Sequence, residues 1–126
     1  MHIAIGIYHP AHLHFYRNFI KEMEKRGHLV TIFIREKDVV VKLAKEYNLN
    51  YINLGSHSSS LFGKIRNWIH INRIIKDYFK DKEKPDVVTG IGDMYLGLYA
   101  FLNRIPSVIF SDDDILTINT ILSAVL

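Results

Sequence analysis

Three histidines fall within six residues, at His9, His12 and His14, in the stretch YHPAHLHF. Imidazole titrates near neutral pH, so it can move a proton, donate a hydrogen bond or ligate a metal. The spacings of three and two residues straddle a His-Pro turn, which does not aim three rings at one ion, and no acidic residue lies nearby in sequence. A metal is therefore not expected here. His9 precedes Pro10, so it should be extended and end a strand. His12 falls in the first turn of the helix that follows and is the candidate acid, base or hydrogen-bond donor. His14, by its helical position, reads as a solvent-side residue beside Asn18 and Lys21.

Two further stretches carry chemistry-bearing residues. Gly90-Ile91-Gly92-Asp93 is a permissive turn in which glycine either relieves strain or admits a ligand close to the backbone. Ser111-Asp112-Asp113-Asp114 spaces two carboxylates as D-x-D. Oxygen ligands of that kind suit magnesium or manganese, but acidic residues also favour helix N-termini for structural reasons alone. Other motifs fail on spacing. No G-x-G-x-x-G follows the first strand, and GSHSSSLFGK is too long between glycines and has Ile65 where a phosphate loop needs Ser or Thr.

Alternating hydrophobic periods place these loops. Apolar, β-rich runs at 2–8, 28–34, 51–55, 86–90 and 106–112 predict five strands. Helical periods at 13–27, 38–48, 60–84 and 94–104 predict the intervening helices, with a further helix in the tail. Gly27 stops the first helix and Asp38 opens the second. Near-continuous apolar strands separated by helices imply a parallel sheet covered on both faces. Right-handed crossovers then give a doubly wound, Rossmann-like sheet in the order 3-2-1-4-5. In such sheets ligands bind beyond the carboxyl ends of the strands, where the order reverses. The loops after strands 1, 4 and 5 meet there, and each opens a helix whose free N–H groups favour anions.

Composition narrows the class. The chain has 126 residues, 48% of them hydrophobic, and a formal charge of +3. That is enough for one domain with one core. The basic residues are not gathered into one run, so nucleic acid is not an expected partner. Without cysteine there is no disulfide, thiolate metal site or thiol nucleophile. No signal-peptide pattern and no membrane-spanning run is evident, and a cytoplasmic location is expected. The apolar ending ILTINTILSAVL lacks a capping glycine, which suggests a piece of a longer protein.

The long helix is unusual. Leu61, Phe62, Ile65, Trp68, Ile69, Ile71, Ile74, Ile75, Tyr78 and Phe79 cover more of its circumference than packing on one sheet requires. Arg66, Arg73, Lys76 and Lys80 gather on the remainder. One reading is a helix between the sheet and a neighbouring element. The other is a basic amphipathic surface for peripheral membrane contact through the 60–84 helix.

Pro10-Ala11-His12-Leu13-His14-Phe15-Tyr16, EKRGHLVTIF, KPDVVTG and IPSVIFSDDD together resemble the amino-terminal half of a prokaryotic glycosyltransferase-like family of unknown function. That family commonly shows N-P-P-H-x-H-F-F after the first strand and R-G-H-x-V into the second. It is similar in turn to UDP-N-acetylglucosamine 2-epimerases and to the N-acetylglucosaminyltransferase of peptidoglycan synthesis, which share the two-domain GT-B fold. This chain departs from the pattern at Tyr8-His9, at Ala11 and at Ile115. The resemblance implies one Rossmann-like domain over 1–126, the acceptor side of a nucleotide-sugar enzyme whose second domain would grip the nucleotide sugar. It implies no cofactor, and it argues against a metal at Asp112 and Asp114, which this fold class generally does without. His12 is then the expected catalytic residue. His9, Pro10, His14, Gly90, Gly92, Asp93, Ser111, Asp112 and Asp114 are the expected substrate-binding set. The alternatives are a flavodoxin-like module for a small anion or nucleotide, and a partner- or membrane-interaction domain.

Overall fold

The computed structural model describes residues 1–35, 38–55 and 60–110. Five strands alternate with four helices among these residues: β1 His2–Ile7, α1 Pro10–Lys25, β2 Leu29–Ile34, α2 Asp38–Glu46, β3 Ile52–Asn53, α3 Leu61–Phe79, β4 Val87–Ile91, α4 Met94–Leu102 and β5 Ser107–Phe110. The strands form one sheet in the order β3-β2-β1-β4-β5, with every neighbouring pair parallel. The expected tail helix and the end of the fifth strand lie outside the described residues.

Strand alternation sorts the core into two layers. Ile3, Ile5 and Ile7 of β1 face Leu13, Tyr16 and Ile20 of α1 and Val40 and Ala44 of α2. Ala4, Phe33 and Val88 face the other way, onto Ile71, Ile75 and Phe79 of α3 and Leu96, Tyr99 and Ala100 of α4. The sheet is buried on both faces, which is why its central strands read as unbroken apolar runs.

The element ends depart from expectation in instructive ways. α1 starts at Pro10, three residues earlier than the periodicity suggested, because proline at the first helical position needs no N–H partner and has its φ preset. His9 stays extended, as its place before proline requires. The helix ends in a Schellman arrangement: Gly27 has φ +84°, and the His28 and Gly27 N–H groups donate to Met23 and Glu24. α3 stops at Phe79, short of residue 84, because the charged run that follows has nothing to bury. β3 is only two residues long at the sheet edge.

Candidate functional site

The order reverses between β1 and β4, which pair directly, Gly6 opposite Gly90. α1 and α4 leave the carboxyl ends of these two strands, so their N-termini border one crevice. At the start of α1 the His9 ring is the cap: its Nδ1 accepts from the Ala11 N–H at 3.1 Å. Pro10 is the first helical residue. His12 sits in the first turn, half-buried, with its ring 5.9 Å from that of His9. The Tyr8 N–H donates to His12 Nδ1 at 3.4 Å. That bond makes Nδ1 the acceptor, so a neutral His12 carries its proton on Nε2. The first turn of α1 has no acidic residue to neutralise its positive end.

The start of α4 is built differently. Gly92 turns the chain at φ +57° and its N–H donates to the Phe110 carbonyl at 2.8 Å, tying the strand-4 loop to β5. Asp93 caps the helix, its Oδ1 accepting from the Leu96 N–H at 3.0 Å. Its side chain is 1% exposed and lies over the two facing glycines. A Cβ on Gly6 would overlap Asp93 Oδ2, and one on Gly90 would come within 2.6 Å of Asp93 Cβ. The glycines therefore open a notch in the sheet surface that this carboxyl group fills, with the Tyr8 hydroxyl beside it over Gly6. Burial pushes the Asp93 carboxyl up to about 6, against the pull of the N–H groups of Leu96 and Tyr95 and of the nearby Tyr8 hydroxyl.

Tyr8, Arg35 and Tyr95 close the notch on the same side of the sheet. The Tyr8 hydroxyl is wholly buried, and burial together with the Asp93 charge raises it well above the ordinary phenol range. Tyr8 Oη and Asp93 Oδ2 influence each other electrostatically. Even so, neither reaches a hydrogen bond of good geometry among the described residues. The Tyr8 and Tyr95 rings meet edge to face at 5.9 Å. Arg35, 6% exposed, donates to the Tyr95 hydroxyl at 2.7 Å. On the opposite side of the sheet, the Tyr16 hydroxyl and Thr89 Oγ1 are bonded at 2.8 Å, joining α1 to β4.

The structure thus brings His9, Pro10, His12, Gly90, Gly92 and Asp93 to the ends of β1 and β4. His14, Gly90 and Asp93 sit differently from the expected substrate-binding set. His14 is exposed on α1 with its ring against Tyr47, 6.5 Å away, so it belongs to the α1–α2 contact and not to the crevice. Asp93 and Gly90 do not present themselves to a ligand; they pack on each other and support the crevice from beneath. Ser111, Asp112 and Asp114 lie outside the described residues. No three metal-ligating side chains come together among the described residues. Gly6, Tyr8, Arg35 and Tyr95 were not singled out from the sequence. Gly6 carried a signal, because a glycine inside an apolar strand marks close approach of another group.

Comparison with known proteins agrees with this architecture. A family described as "Protein of unknown function (DUF354)" matches residues 1–123. No curated protein matches the chain. Among solved structures it is similar to MurG of Acinetobacter baumannii, with a TM-score of 0.77 at 18% identity over 98% of this chain. It is similar to UDP-GlcNAc 2-epimerase of Neisseria meningitidis bound to UDP-GlcNAc, with a TM-score of 0.74 at 19% identity over 99%. The calicheamicin glycosyltransferase CalG4 follows with 0.64 at 15% identity over 93%. The chain spans 39%, 38% and 34% of those three chains. The likeness establishes the fold as the Rossmann-like half of a GT-B architecture.

Proposed function

The chain belongs to the DUF354 family of proteins of unknown function, and from that membership and the geometry of the crevice we propose that it is the acceptor-side domain of a GT-B-type enzyme acting on a nucleotide sugar. The observation that carries this reading is the start of α1 at the strand-order reversal, where no acidic residue offsets the positive end of the helix, beside the start of α4, which Asp93 caps. Such a place favours the phosphate oxygens of a nucleotide sugar or an anionic acceptor. One of the structures with this fold holds UDP-GlcNAc.

In this proposal His12 does the chemistry at the rim. With Nδ1 occupied by the Tyr8 N–H, a neutral ring offers Nε2–H as a donor. Its role is then to stabilise negative charge that develops on an oxygen during the reaction. Pro10 and His9 fix the start of α1, and with it the His12 position.

The test is turnover of UDP-GlcNAc by the full-length protein. His12→Ala is expected to lower turnover by about 100-fold or more, while His14→Ala leaves it unchanged. Equal activity of the His12 variant would remove His12 from the mechanism. A full-length protein that neither binds nor turns over any nucleotide sugar would overturn the reading itself.

A further inference from the structure

α3 is packed along only half its length. Its second half buries Ile71, Ile75 and Phe79 at i, i+4 and i+8 against the sheet. None of residues 61–70 is buried. In that leading half Leu61 is 78% exposed, Phe62 73%, Ile65 53%, Ile69 51% and Trp68 38%. These positions are spaced i, i+1, i+4, i+7 and i+8, so they form one stripe. A helix face with no packing partner is normally polar, and an exposed patch of this kind marks an interaction surface.

The charge of the helix says what kind. Between Leu61 and Lys76 it carries Lys64, Arg66, Arg73 and Lys76 and no acidic residue, in a chain with 13 acidic residues. The first turn again has no acidic residue to offset the helix dipole. Ile69, Arg73, Lys76 and Lys80 follow one another at i, i+4, i+7 and i+11, so the apolar stripe of the leading half continues as a basic stripe in the second. The groove between α3 and α4 repeats this order. A cavity of about 510 Å³ at one end is walled by Trp68, Ile69, Leu98 and Leu102. An adjoining one of about 650 Å³ is lined by Arg73, Lys76, Lys80 and Lys84, with Asp77 as its acid.

We propose that the leading half of α3 and its groove with α4 are a docking surface for an anionic lipid bilayer. The apolar stripe enters the acyl boundary and the basic stripe meets the headgroup phosphates. The binding proposed is peripheral in kind, and no helix among the described residues is long and apolar enough to cross a membrane. α3 follows β3, so its first turns lie at the carboxyl-end rim, the same rim as the crevice. The proposal stands on surface chemistry and does not depend on the nucleotide-sugar reading.

Trp68 is the chain's only tryptophan and sits in the stripe, which supplies the readout. The chain is titrated with phosphatidylglycerol vesicles and, separately, with phosphatidylcholine vesicles. Expected are a blue shift of Trp68 emission, quenching by brominated acyl chains, and partitioning onto the anionic vesicles stronger by roughly tenfold or more. Added salt should weaken it. Phe62→Ser with Ile65→Ser, both at exposed positions, should abolish quenching with the fold intact by circular dichroism. Arg73→Glu with Lys76→Glu should erase the preference for anionic vesicles. Equal partitioning onto both lipids, binding without change in Trp68, or no binding at low salt would each overturn the proposal. So would a dimer that Phe62→Ser dissociates and that ignores vesicles, which would assign the stripe to a second copy of the chain.

Discussion

The helices that leave the two central strands begin in opposite ways. α1 opens with an exposed imidazole cap and a proline, and its first turn keeps its positive end open. α4 opens with a carboxyl group that is sealed from solvent and seated on the backbone of two other strands. Both solve the same problem, orphan N–H groups at a helix start. The first solution leaves room for an outside anion. The second uses the protein's own acid and spends burial energy to keep it there. The crevice is therefore asymmetric: the positive end of α1 meets no acid and its Ala11 N–H is held by the exposed His9 ring, whereas the start of α4 is sealed by its own buried carboxyl group.

Substitutions on each side should grade accordingly. Gly6→Ala strikes the α4 side hardest, because the new methyl group overlaps the Asp93 carboxyl and comes within 2.6 Å of the Tyr8 hydroxyl. A loss of about 3 kcal/mol is expected from urea unfolding. A loss below about 1 kcal/mol would mean that the notch yields easily.

Asp93→Asn keeps the cap and removes the titration. The folded-state value of about 6 stands above the ordinary 3.8. Between those limits the folded chain holds a proton that the unfolded chain has released, so this group costs stability as pH rises and levels off above about 6. Relative to the Asn variant, the wild type should lose up to roughly 3 kcal/mol between pH 4 and pH 7. A difference that stays flat with pH would show that the carboxyl is not desolvated as described.

Tyr16→Phe tests the link between the two sides, since it strips Thr89 of its partner across α1 and β4. A loss of about 1–2 kcal/mol is expected by thermal unfolding. His9→Ala should matter least for stability, at most about 1 kcal/mol, because its cap bond is exposed to water. If it matched Asp93→Ala in cost, the contrast between the two helix starts would fail.

The architecture was legible because each strand is an apolar run and each helix has its own period, and together they dictate strand order through crossover handedness. The place of the crevice followed from that order. What was not legible is which side chains share a face at one level of three neighbouring strands. Gly6 and Gly90 meet beneath Asp93 only because β1 and β4 pair in a particular register, and Arg35 reaches Tyr95 from the end of β2, two residues beyond Phe33, which lies opposite Gly6. No spacing within one segment carries that information. His14 shows the same limit: its helical position marked it as solvent-side, which it is, and only the resemblance set it among the substrate-binding residues. Its proximity in sequence to His12 says nothing about the turn of the helix, which carries it to Tyr47. The overhang of α3 was half visible. Its excess apolar surface stood out in the sequence, but only the fold shows that the surplus lies in the leading turns.

The notch beneath Asp93 also sets terms for how the sequence can vary. Residues 6, 90 and 93 fill one space jointly, although the first lies far from the others along the chain. A descendant could acquire a side chain at position 6 only if position 93 had already shrunk, and a longer acid at 93 would have nowhere to go. Change at these positions should therefore arrive in step, as a correlated trio, even where the rest of the sheet drifts freely.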